Sequence, residues 1–167
     1  MPGEAALTAF ATLGAYTTAQ HIAAAALASM EEADPSLVAE ESLALLSVVT
    51  ARGLRDHGPA AAALEELPLT YRDYVIGGEM LGGDAESVLD SGDDSYERIG
   101  RKLAFYQTHF VAGRLPGPRV LKDKMELWMG RISPPGLPEN PSQRLEKLGL
   151  VEVVHTHLRL LSAFLEQ

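Results

Sequence analysis

The chain has 167 residues, 46% hydrophobic and 6% aromatic, which is the size of one domain with a core of Ala and Leu rather than a β-sandwich. It contains no cysteine, so disulfides, thiolate-bound zinc and thiol nucleophiles are excluded. The net charge of −9 is uneven: residues 1–97 carry 17 acidic and 3 basic side chains, and residues 98–167 carry 6 acidic and 11 basic. Two such electrostatic ends either select partners or face each other within the fold or across a dimer.

The start MPGEAAL has no basic segment, and no apolar run approaches the roughly 18 residues of a membrane span. A cytoplasmic protein with no membrane contact is therefore expected. Residues 4–32 are Ala-rich and predict one long helix or two, with Gly14 a weak point. Asp34-Pro35 is a helix start, a capping acid before a proline at the first helical position. That helix should turn Leu37, Leu45, Val48 and Val49 inward and stop near His57-Gly58 with a left-handed glycine cap. Pro59 opens a shorter helix that Pro68 interrupts, and Thr70 caps a segment from Tyr71 to Leu81.

Residues 84–95 are acidic and turn-rich and predict a loop holding at most one short helix. From about Ser95 to Val111, Ile99, Leu103, Tyr106 and Phe110 share one helix face. Leu115-Pro116-Gly117-Pro118 breaks that helix. The next one turns Leu121, Met125, Trp128 and Ile132 to one side. The four prolines in residues 133–141 make a rigid connection. The last helix, from about Ser142 or Leu148 to Leu165, carries one apolar stripe of Val151, Val154, Leu158, Leu161 and Leu165, and beside it a second of Leu150, Val153, Leu160 and Phe164. So wide a face needs more than one neighbour, as in the central helix of a bundle or a helix on a dimer axis. The two halves also echo each other, Pro35-Ser-Leu-Val against Pro118-Arg-Val-Leu, either as a duplication or through the sameness of helical sequence.

Chemistry-bearing patterns are sparse. His155 and His157 are two apart, so a helix points them to nearly opposite sides and they cannot grip a metal as an i, i+4 pair. His157, among apolar neighbours, is expected to be a core histidine with one hydrogen bond. The adjacent acids Glu31-Glu32, Glu40-Glu41 and Glu65-Glu66 lack the three- or four-residue steps of a carboxylate metal site and predict solvated helix faces. Arg52 and His57, with four residues between them, loosely resemble the signature of helical HEPN ribonucleases. No phosphate loop or nucleophile elbow occurs. The expectation is no catalytic residue, no metal and no cofactor. The alternative is a helical enzyme, a HEPN-type ribonuclease or a metal-dependent hydrolase. Arg114, Arg119, Lys122, Lys124 and Arg131 gather around the Pro-Gly-Pro turn. The chain's acidity and the lack of interleaved aromatics disfavour nucleic acid and favour an acidic protein face.

Phe110-Val-Ala-Gly-Arg-Leu-Pro-Gly-Pro-Arg-Val-Leu-Lys-Asp-Lys-Met-Glu-Leu resembles a junction in the family of the KaiA C-terminal and RsbU N-terminal helical domains. Pro116 and Pro118 hold its proline spacing, and Met125-Glu126-Leu127 holds the following turn. Leu64-Glu-Glu-Leu with Tyr71-Arg72-Asp73 resembles the family's opening helix, and Lys147 to Val154 its last. The resemblance covers about residues 60–167. It departs at Lys124, where a His is frequent, at Gly77-Gly78 and Gly82-Gly83, and in the longer 84–95 loop. No receiver-like domain precedes it.

The resemblance implies an all-α helical bundle, with residues 59–167 as the family-like domain and 1–58 as an N-terminal helical extension or part of the same bundle. It implies a non-enzymatic regulatory domain of circadian-clock or stress-signalling type. Such a domain dimerises, binds a segment of a kinase- or phosphatase-type partner, and modulates it. On this reading Arg114, Arg119, Lys122, Lys124, Met125 and Trp128 border a groove for an acidic or amphipathic helical segment. Val151, Val154, Leu158 and Leu161 build a homodimer.

Overall fold

Asp34 accepts a hydrogen bond from the backbone N–H of Ser36, and Pro35 sits at the first helical position. The helix they start organises the molecule. The computed structural model describes residues 3–82 and 92–167, with side chains outside 71–95. Among these the chain is all-α: α1 (Glu4–Ser29), α2 (Pro35–Gly53), α3 (Gly58–Gly82), α4 (Gly92–Gln107), α5 (Pro118–Ile132), α6 (Pro141–Leu148) and α7 (Leu150–Leu165).

Every residue from Glu41 to Ala51 is buried. Three turns of helix with no exposed face require neighbours on all sides. α1, α3, α4 and α5 supply them, and α7 reaches α2 through His157. The enclosed helix is thus α2, not the last helix as its double stripe suggests. One apolar cluster runs from Leu7 through Val49 and Trp128 to Leu161. The 58/59 boundary therefore separates no cores, and α2, which lies before it, is at the centre of the bundle.

α1 is unbroken and packs through Leu7, Ala11, Ala15, Ala19, Ile22 and Ala26. Steps of three and four put these on one face, and Ala there lets backbones approach closely. Gly14 is no weak point, because it abuts His157. α2 ends earlier than the sequence predicts, at Gly53, and Gly58 has no left-handed backbone but opens α3. α3 continues through Pro68, and Thr70 caps nothing: its hydroxyl donates to the Glu66 carbonyl inside the helix. The Tyr71–Leu81 side chains and most of the 84–95 stretch lie outside the described residues.

The stripes on α4 and α5 face inward as their spacing predicts, with Ile99, Tyr106, Leu121, Met125, Trp128 and Ile132 buried, but α4 ends at Gln107, short of the expected Val111, and Phe110 is buried beyond it. Asn140 and Gln143 form a reciprocal capping box at the start of α6. Gly149, with φ +65°, then turns the chain by 63° into α7, so the last helix starts near Leu148, the later of its two expected starts, and Ser142 belongs to the separate α6. No single helix among the described residues is long and apolar enough to cross a membrane.

Candidate functional site

Three places concentrate polar or unsatisfied groups. The first joins α2 to α4 and α5. The Glu41 carboxylate, almost wholly buried, accepts from Tyr106 Oη at 2.6 Å and from Arg131 Nε and Nη2 at 3.0 and 2.8 Å. Glu40 accepts from Lys102 Nζ at 2.6 Å and from Arg98 Nε and Nη2 at 3.0 and 2.6 Å. Burial alone would raise the Glu40 carboxyl. Hydrogen bonds and charge from Arg98 and Lys102 outweigh it and hold the group below the usual carboxylate range. Burial, then the adjacent Glu41 carboxylate, pushes the Tyr106 phenol far above its ordinary value, so it stays a donor. The Arg131 guanidinium lies 4.1 Å from the Phe105 ring centroid, and Trp128 Nε1 donates to Ser42 Oγ. Glu40-Glu41 is therefore no solvated face. Part of the charge asymmetry is satisfied inside the fold.

The second place is the connection from α4 to α5. Arg52 donates from Nη2 to the Gln107 carbonyl at 3.0 Å, and its own carbonyl accepts from the Gly113 N–H. Gly113 has φ +85°, which favours glycine. Leu115 fills the space a Cβ at Gly53 would need. Both ends of the 108–117 segment are thus tied to the end of α2. Held this way, it exposes Val111 (73%) and leads into α5, whose Val120 and Leu127 are also exposed and share a flank with Lys124. Arg114 and Arg119 are exposed, and Lys122 and Lys124 half-buried. None of the four has an ion pair or side-chain hydrogen bond among the described residues.

The third is a groove of about 570 Å³ between α1 and α7. Leu13 (65% exposed) and Leu160 (57%) form its lips, and Val153 and the stacked pair Phe10 and Phe164 extend it. His157, 5% exposed, forms the floor. Its Nε2 is 3.0 Å from the buried Thr50 hydroxyl, the single hydrogen bond expected of a core histidine. Burial pushes its pKa down to about 4, so it is neutral at pH 7. Its other edge faces α1 at Gly14, where a Cβ would come within 2.7 Å of Nδ1.

Of the basic residues expected at a binding surface, Arg114 precedes α5 and the others lie in its first two turns, Lys124 on the flank of Val120 and Leu127, Arg119 and Lys122 on the opposite flank. Their expected apolar companions do not join them. Met125 and Trp128 have no exposed surface, because they point from α5 onto α2. Val111, Val120 and Leu127 hold the outer positions instead, and the 120, 124, 127 spacing was the available signal. The dimer residues are likewise spent within the chain. Val154, Leu158 and Leu161 are buried here, Val151 is half-buried, and the second stripe is the more open one. The Arg52 guanidinium donates to the Gln107 carbonyl, and no hydrogen bond joins it to His57 among the described residues. Among the described residues no three His, Asp or Glu side chains converge as metal ligands. Comparison with known protein families, curated proteins and solved structures finds no match to this chain.

Proposed function

We propose that this chain is a regulatory protein-interaction domain, of the kind the Phe110–Leu127 junction resembles, and that it docks an acidic or amphipathic segment of a signalling partner. One observation carries the reading. The cations split into two sets. Arg98, Lys102 and Arg131 are consumed by Glu40 and Glu41, while Arg114, Arg119, Lys122 and Lys124 stay unpaired among the described residues, Lys124 on the flank of α5 that exposes Val120 and Leu127. Exposed apolar anchors supply affinity, and a basic rim supplies encounter rate and register. The ties from Arg52 hold the segment in one shape before binding, which lowers the ordering cost.

Homodimerisation, which the family resemblance implies, would need a face other than Val154, Leu158 and Leu161, since these are buried within the chain.

The test is capture of a partner from native extract by the wild-type chain and by the Arg114→Glu, Arg119→Glu, Lys122→Glu triple variant, both with unchanged thermal melts. Loss of the captured protein in the variant, and a slower on-rate as salt rises towards a Debye length of roughly 8 Å, support the reading. Equal capture at low salt overturns it. So does tight binding of nucleic acid through these residues, or nuclease activity that Arg52→Ala abolishes.

A further inference from the structure

We infer that the groove between α1 and α7 is a binding site for a neutral, mostly apolar small molecule that carries a hydrogen-bond-accepting oxygen, held by the Nδ1–H of His157. This site is separate from the partner surface proposed above.

The argument begins at Thr50. Its hydroxyl is fully buried on α2, and His157 Nε2 is its one partner among the described residues. If Nε2 carried the proton and donated, the hydroxyl hydrogen of Thr50 would have no acceptor. A buried donor left unmet is strongly disfavoured. Thr50 therefore donates, Nε2 accepts, and the neutral ring carries its proton on Nδ1. No described residue accepts from that Nδ1–H. It is an unmatched donor on a ring that is nine-tenths buried and lines the groove.

Gly14 stands opposite, and any larger residue would put a Cβ 2.7 Å from Nδ1. The missing side chain keeps the approach open. Thr18 and Thr156, which also line the groove, have hydroxyls with no partner among the described residues.

The lining sets the class of ligand. Besides His157 and the exposed His21 it contains no ionisable side chain, so no carboxylate, ammonium or guanidinium there balances a charged molecule. Its apolar surface is Phe10, Leu13, Val153 and Leu160, and its volume of about 570 Å³ suits a molecule of drug-like size rather than an ion. A few convergent polar groups in an apolar cleft are the usual make-up of a small-molecule site. A second copy of the chain could bury Leu13 and Leu160, but a flat helix-to-helix contact would leave Nδ1–H unmet.

Prodan, a neutral naphthyl ketone whose emission shifts to the blue out of water, is the probe. The intact chain should bind one equivalent saturably. The analogue with a propyl chain in place of the propionyl group should bind roughly 2- to 10-fold more weakly, the range of one net hydrogen bond. Leu13→Glu with Leu160→Glu, on the exposed lips, should cut prodan binding at least about tenfold with an unchanged melt. Nitrogen NMR of the His157 ring should show the Nδ1–H form and a shift on binding prodan but not on binding the propyl analogue. Absence of saturable binding by the folded chain overturns the site. So does equal binding by the lip variant, equal affinity for ketone and propyl analogue, or a proton on Nε2. Sedimentation showing a dimer at tens of micromolar that the lip variant converts to monomer assigns the groove to a second copy instead.

Discussion

Glu41 and Thr50 stand nine residues apart on α2, about half a turn round its axis, and the two sides they face are built on opposite terms. On the Glu41 side, two carboxylates meet three cations and a phenol, and every one of these groups is hydrogen-bonded. On the Thr50 side a single polar contact, to His157, sits beneath an apolar groove with open lips. A buried polar network is tolerable only when every member has a partner. The first side meets that condition and is closed. The second leaves one donor over and is open. The contrast separates a charged cluster that holds helices together from a smaller one shaped to receive something.

Substitution should break the two sides by very different amounts. Glu41→Ala removes the acceptor of Arg131 and Tyr106 inside the bundle. It should cost about 3–5 kcal/mol in urea unfolding, the range for orphaning one partner of a buried pair. A cost under about 1 kcal/mol would show that water replaces the carboxylate.

Acid should act next, through His157. The unfolded chain protonates a histidine near pH 6.5, and the folded chain only near about 4. Between these values the unfolded state binds the extra proton. Stability therefore falls as pH drops from 6.5 through 4, by about 3 kcal/mol in total, and is unaffected by this group above 6.5. His157→Gln, whose amide oxygen can accept from Thr50 and does not titrate, should flatten that slope in urea melts at pH 7, 5.5 and 4.5. Glu40 adds a loss at lower pH, since its carboxyl is held below the usual range.

Two glycines sharpen the comparison further. At Gly14 a Cβ meets the His157 ring, whereas at Gly100 on α4 it meets nothing within 4 Å. Gly14→Ala should lose about 1 kcal/mol, as overpacking of roughly 1–3 kcal/mol exceeds a helix-propensity gain of about 1. Gly100→Ala should gain about 0.5–1 kcal/mol. Thermal melts with the same sign for both would refute the close approach. Smallest of all, Leu13→Glu and Leu160→Glu should each stay within about 0.5 kcal/mol of the parent, because both side chains already face water.

The class of fold was legible because Ile99, Tyr106, Leu121, Met125, Trp128 and Ile132 keep a helical period in segments with polar opposite faces. α1 gave no such contrast, because Ala occupies both its buried and its open sides and hides the period. Gly14 looked like a flaw for the same reason, since its use depends on a ring 143 residues away. Glu40-Glu41 looked solvated because adjacent acids usually are, and their partners lie 58 to 90 residues further along the chain. A trace of them was readable: Arg98, Lys102 and Tyr106 recur every four residues beside the apolar stripe of α4. Met125 and Trp128 were assigned both to the inward stripe and to a groove. A side chain cannot serve both, and the stripe won because burying an indole against α2, with Ser42 accepting its N–H, is the larger gain. The site residues were harder to read than the fold because a groove is made by what is missing, a side chain at 14 and an acceptor for Nδ1.

The enclosure of α2 bears on how this chain can be divided or recombined. Residues 59–167 resemble a module, yet on their own they would carry Lys102 and Arg131 without Glu40 and Glu41, and Trp128 without Ser42. The two pieces meet at a short turn, Leu54 to His57, whose middle residues Arg55 and Asp56 are exposed. A nick there leaves the interfaces intact, so fragments 1–56 and 57–167 should find each other in solution while neither folds alone. Any exchange of parts between related chains must then carry α2 together with α4 and α5 as one inherited block, whatever happens to α1 and α7.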